Sequence, residues 1–143
     1  MESMVLKIIL ALLIVLSIGI VSVSSAQQTG RYEVAGIDNA AAAESFFYKL
    51  QRAVAEDNRA KVASMIDYPI FVRVAGRRIR LRRKVDLLGR YNLVFNHGVR
   101  QALARQRVSE LFVNWQGVMI GDGEIWFNQM PNSSAFKITA INN

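Results

Sequence analysis

Ile70-Phe-Val-Arg-Val-Ala-Gly-Arg-Arg-Ile-Arg-Leu-Arg82 is where the hydrophobic period of the chain falls from helical spacing to two. Ile70, Val72 and Val74 alternate with Phe71, Arg73 and Ala75, and Ile79 and Leu81 alternate with Arg78, Arg80 and Arg82. Alternation of this kind marks a half-buried strand. Gly76-Arg77 supplies a turn between the two runs. The stretch is therefore expected to form a β-hairpin with one apolar and one basic face. Arg73, Arg80 and Arg82 should share the basic face, with Arg77 at the turn.

Upstream of the hairpin the pattern is helical. Phe46, Phe47, Leu50, Ala53 and Val54 recur at helical spacing, which predicts an amphipathic helix over 39–55. Asp38 or Asn39 can cap it. Asp57 or Asn58 restarts a shorter helix through Val62, Met65 and Ile66. Pro69 ends that helix, because proline pushes the preceding residue out of helical angles. Downstream, Val85, Leu88, Tyr91 and Phe95 predict another helix, and Asn96 caps a further turn or two through Val99 and Leu103. Leu111 to Gln116, Val118 to Ile120 and Glu124 to Phe127 read as strands, with Gly121-Asp122-Gly123 as a turn. Phe136, Ile138 and Ala140 alternate with Lys137, Thr139 and Ile141 in a final strand. Helices clustered before consecutive antiparallel strands argue for an α+β fold.

The start of the chain carries an address. Lys7 precedes an apolar run from Ile8 to Val23, and small residues Ser24 and Ala26 flank a cut before Gln27. This matches a secretory signal peptide over 1–26. The run is 16 residues long, short of the roughly 20 that span a bilayer; an uncleaved anchor is the competing reading. Residues 27–38 are polar, carry Gly30 and Gly36, and are expected to form a flexible lead-in. Residues 39–143 then make a single domain, too short for two ordinary ones. The expected location is periplasmic or secreted. There is no cysteine, so neither a disulfide nor a lipid anchor on a cysteine is available.

The formal net charge is +7, and Glu2 and Lys7 cancel, so all of it lies beyond the signal. Seven basic residues fall between Arg73 and Lys84. Such a stripe attracts polyanions over a distance. For an exported chain, an anionic membrane surface is a better match than nucleic acid. The same arginines also fit a solvated face that keeps the domain soluble.

The element order resembles the nuclear transport factor 2-like superfamily, which includes ketosteroid isomerase and scytalone dehydratase, across nearly all of 39–142. The stretch Trp115-Gln-Gly-Val-Met-Ile-Gly-Asp-Gly-Glu-Ile-Trp-Phe127 is similar to one found in small exported bacterial members. The resemblance implies a cone: a curved antiparallel sheet wrapped around the N-terminal helices, with a pocket between sheet and helices. It also implies that an acid or base can sit in that pocket with tyrosines as donors, and that two copies can pair through the open sheet face. A cystatin-like helix-on-sheet fold is the nearest alternative, with fewer helices.

Chemistry-bearing residues are sparse. His97 is the single histidine, and no carboxylate pair stands at metal-ligand spacing, so no metal or other cofactor is implied. No Gly-x-Ser-x-Gly and no phosphate-binding glycine loop occurs. Tyr68, Tyr91, Trp115 and Trp126 are the candidate residues for a ligand or partner. Trp126 is singled out by alternation: with Ile125 and Phe127 facing the core, Glu124 and Trp126 face the other side. Asp67 is a candidate proton acceptor if buried, and otherwise a turn residue. The reading favoured is an exported, non-enzymatic binding module for a small apolar ligand or an envelope protein, immunity-like in kind. A cofactor-free lyase or isomerase using the cone pocket is the alternative. A filled interior would move binding to the outer surface.

Overall fold

The computed structural model describes residues 30–143. The signal reading therefore concerns residues outside those described. Among the described residues no helix is long and apolar enough to cross a membrane.

Helix α1 spans Ala40–Ala55 and buries Ala43, Phe46, Phe47, Leu50, Ala53 and Val54. The three- and four-residue spacing puts all six on one stripe. Asn39 caps it, its Oδ1 accepting from the Ala42 amide at 2.9 Å. Asn58 caps α2 (Arg59–Ser64) and Asn96 caps α5 (His97–Arg105) in the same way. Each cap satisfies an amide that the helix itself leaves unpaired.

Between these helices, α3 (Lys84–Leu88) and α4 (Tyr91–Val94) are separate short turns, broken at Gly89-Arg90. The single helix expected there does not form. The break changes which residues face inward: Leu87, Tyr91, Val94 and Phe95 are buried, whereas Val85 and Leu88 are exposed.

The strands are β1 (Ile70–Val74), β2 (Arg77–Leu81), β3 (Phe112–Asn114), β4 (Gly117–Ile120), β5 (Ile125–Gln129) and β6 (Phe136–Asn142). They form one open sheet in the order β2-β1-β6-β5-β4-β3. The fold is α+β, as the element order predicts. The sheet is mixed rather than purely antiparallel, because β6 lies parallel to β1, with Val72 opposite Ile141. Only non-local pairing could reveal that, and a single chain's alternation pattern carries no such information.

The hairpin β1–β2 alternates as expected: Ile70, Val72 and Val74 are buried and Phe71 and Arg73 exposed. Its two-residue turn is Ala75-Gly76, one residue earlier than Gly76-Arg77, since Val74 pairs with Arg77. Both turn residues have positive φ, 47° and 76°, which matches the twist of the flanking strands and strains the alanine.

β6 departs from simple alternation. Trp126 pairs with Ala140 but Phe127 pairs with Ile138, so Thr139 is an extra residue. A bulge of this kind resets the phase of a strand. Ile141 is consequently buried with Phe136 and Ile138, while Ala140 is only half-buried. The reading that put Ile141 on the polar side fails for this reason.

The segment expected as a flexible lead-in contributes to the core. Residues 30–33 form a helical turn, and Tyr32 and Ile37 are fully buried. Arg31 secures this turn by donating to the carbonyls of Ser109 and Val108 at 3.1 and 3.2 Å. It also lies 3.8 Å from the Glu44 carboxylate on α1.

Two outcomes check these features by urea unfolding. Ile141→Asp should cost more than about 4 kcal/mol, because it buries an unpaired charge. Ala140→Asp should cost less than about 1 kcal/mol; strict alternation predicts the reverse order. Ala75→Gly should raise stability by about 1 kcal/mol by relieving the left-handed alanine.

Candidate functional site

The space between α1 and the sheet is filled by side chains. The Phe46 ring lies 5.0 Å from Phe127 and 6.0 Å from Phe136, and Phe127 and Phe136 meet at 6.4 Å. Ile120, Ile125, Ile138 and Leu50 are fully buried around them. Among the described residues no polar or charged residue is buried in this core. An interior of this composition holds no carboxylate, histidine or lysine, and its polar groups are the hydroxyls of Tyr32 and Tyr91.

The two candidate tyrosines sit in different surroundings. Tyr91 is buried, stacks on Phe95 at 5.1 Å, and is covered by the guanidiniums of Arg59 at 4.8 Å and Arg100 at 5.5 Å from its ring centre. Asp57 lies 3.1 Å from Arg59 and 4.0 Å from Arg100, which ties the two cations to one carboxylate. Tyr68 is half-buried, yet its hydroxyl is buried without a hydrogen-bond partner, as is that of Tyr91. Burial, aided by the negative charge of Asp86, pushes the Tyr68 phenol up to about 12. Burial raises Tyr91 as well, against the opposing charge of Arg100.

The candidate acids lie outside the core. Asp67 is exposed, and its amide donates to the Ile138 carbonyl at 3.0 Å. Glu124 is half-buried and folds onto its own turn, where it accepts from the Asp122 amide at 2.6 Å. His97 is exposed at the first position of α5. Among the described residues no three potential metal ligands stand together.

The side chains open to contact lie on the outer face of the sheet, away from α1. Trp126 is on this face, half-buried, opposite Met119 on β4 and Ala140 on β6. Phe112 on β3 is opposite Met119 and 52% exposed. Trp115 stands at the turn between β3 and β4, 76% exposed. Trp115 thus sits at the β3 edge of the sheet and Trp126 two strands in, on β5, whereas Tyr68 and Tyr91 belong to the helical side.

The other half of the outer face is basic. Phe71, Arg73, Arg78 and Arg80 are exposed, with Arg73 directly opposite Arg78 and Phe71 directly opposite Arg80. Arg78 lies over the Phe71 ring, 3.7 Å from its centre, and Arg80 approaches to 5.7 Å. Arg82 is exposed one residue past the strand, and its amide donates to the Asp86 carboxylate at 2.7 Å. Alternation also sets Phe71 and Arg78 off from the apolar face, but only Arg73, Arg80 and Arg82 were singled out as candidate contacts, and the stacking of Arg78 on Phe71 was not foreseen. The register that pairs them was the missing signal. Phe112 and Met119 were missed because the strands carrying them are short.

Open surface grooves of the described residues include three of similar size. One of 680 Å³ runs along α1 and α2 past Glu44, Tyr48, Arg52 and Lys61. One of 630 Å³ lies between α1 and α5 past Gln51, Arg100 and Leu103. The third, 680 Å³, lies between residues 35–38 and the β5–β6 turn. None contains Tyr68, Tyr91, Trp115 or Trp126. Compared with known protein families, curated proteins and solved structures, the chain matches none.

Tyr68→Phe should leave stability at neutral pH unchanged or slightly raised, since it removes a buried hydroxyl that has no partner. The folded phenol's pKa is above its ordinary value of 10.0. Its contribution is therefore intact below pH 10 and lost as pH rises toward 12. Alkaline unfolding of the wild type should begin in that window and be shallower in Tyr68→Phe, as followed by circular dichroism.

Proposed function

We propose that this protein is an exported, non-enzymatic binding module of nuclear transport factor 2-like architecture that takes a partner protein on the outer face of its sheet. The element order supports the architecture: two helices, a hairpin, short helices, then four more strands, the six strands lying in the order β2-β1-β6-β5-β4-β3. In this reading the sheet curls around α1 as a cone. The signal pattern at 1–26 supports export to the periplasm or beyond.

One observation carries the binding role. Phe112, Trp115 and Trp126 stand apart from the aromatic side chains that fill the core, and of the other open rings Tyr48 lies on α1 and Phe71 lies beneath Arg78 on the hairpin. Exposed tryptophan and phenylalanine are the usual anchors of a protein interface. The filled interior argues against a small apolar ligand held inside the cone. The placement of Asp67 and Glu124 at the surface gives the lyase or isomerase reading no acid–base pair to use.

The test combines export and capture. The chain recovered from the envelope should begin at Gln27, read by intact mass. Native mass spectrometry of that material should show either a bound envelope protein or a second copy. Trp126→Ala and Phe112→Ala should each weaken that complex at least tenfold while shifting the unfolding free energy by less than about 1.5 kcal/mol. A large loss of stability with the complex intact would return these side chains to packing.

A further inference from the structure

We propose that the outer face of the β1–β2 hairpin docks onto an anionic lipid bilayer, with Arg73, Arg78 and Arg80 engaging lipid phosphates. This face is the half of the sheet that the partner-protein reading does not use, so the two stand or fall separately.

The first support is an unfavourable contact. Arg73 sits directly across from Arg78, and like charges in that position repel. No carboxylate relieves them. The ion pairs among the described residues involve Arg31, Arg59, Arg100 and Arg107, and no arginine of the hairpin. Asp86, the first acid after the hairpin, spends its carboxylate on the backbone amides of Arg82 and Arg83. The charge on this face is complementary to an anion supplied from outside.

The second support is the way the charge is held. Phe71 is 45% exposed and acts as a platform for two guanidiniums. A stacked guanidinium keeps its planar fork of donors, which suits a phosphate, and loses little freedom on binding. The ring face covered by Arg78 at 3.7 Å is closed to a stacking base. That geometry favours a surface of phosphates over a single-stranded nucleic acid, which needs bare aromatic faces.

The test uses the full chain with vesicles of phosphatidylcholine alone or with phosphatidylglycerol, at low and high salt. The apolar N-terminal run contributes to both vesicle types, so the readout is the ratio of anionic to neutral partition. The wild type should prefer anionic vesicles, and the preference should collapse at high salt. Replacing Arg73, Arg78 and Arg80 together by Gln should cut the ratio roughly a hundredfold, while the triple Lys variant should retain most of it. Phe71→Ala should give an intermediate loss. Arg73→Thr alone should raise the melting temperature while lowering the ratio, since it relieves the repulsion; it serves as the folded control if the triple variant fails to fold. An unchanged ratio in Arg73→Thr and Arg78→Thr, or displacement of the protein from anionic vesicles by an equimolar oligonucleotide, would overturn the proposal.

Discussion

Everything in this fold depends on α1 lying against the inner face of the sheet. Its apolar stripe meets the sheet through Phe46, with Phe127 and Phe136 as direct ring partners. With no disulfide available to the chain, burial of this stripe is the main source of cohesion. It also decides what the interior is for. Three rings and the surrounding aliphatic side chains occupy the space between α1 and the sheet. A core packed so fully, with no polar residue in it, contributes stability and leaves chemistry to the surface.

The legible parts of the fold were those decided locally. Asn39, Asn58 and Asn96 cap the helices they precede, because a cap depends on three or four neighbouring residues. The alternation in β1 and β2 sorts buried from exposed residues correctly for the same reason. What escaped was non-local or unmarked. The parallel pairing of β1 with β6 joins residues about seventy positions apart. The bulge at Thr139 has no glycine to announce it, so the phase of β6 was misread at Ile141. Gly89 was visible, but its breaking of a helix was not, and Val85 and Leu88 were placed inward when they face out.

The surface positions divide in the same way. Alternation was enough to put Trp126 on the outer face, and to put Arg73 and Arg80 together. Distances were not legible: nothing in the sequence separates the helical side, where Tyr68 and Tyr91 lie, from the sheet edge that carries Trp115. The two outer half-faces differ in kind. One offers aromatic area with little charge, and the other offers charge organised on a single ring. Both arise from strands whose inner residues are fully committed to α1, so their outer residues can vary in chemistry without disturbing the core.

The position of β6 in the sheet has a consequence for assembly. It is the last strand made, yet it lies between β1 and β5 and is the one connection between the two halves. Until it arrives, β1 and β2 are an isolated hairpin, which is marginal in water. Asn143 then fastens the closure, donating to the carbonyls of Leu93 and Val94 and accepting from the Ala75 amide. The chain order therefore places the hairpin and the β3–β4–β5 meander ahead of the strand that joins them, and the two halves become one sheet only when β6 pairs with both.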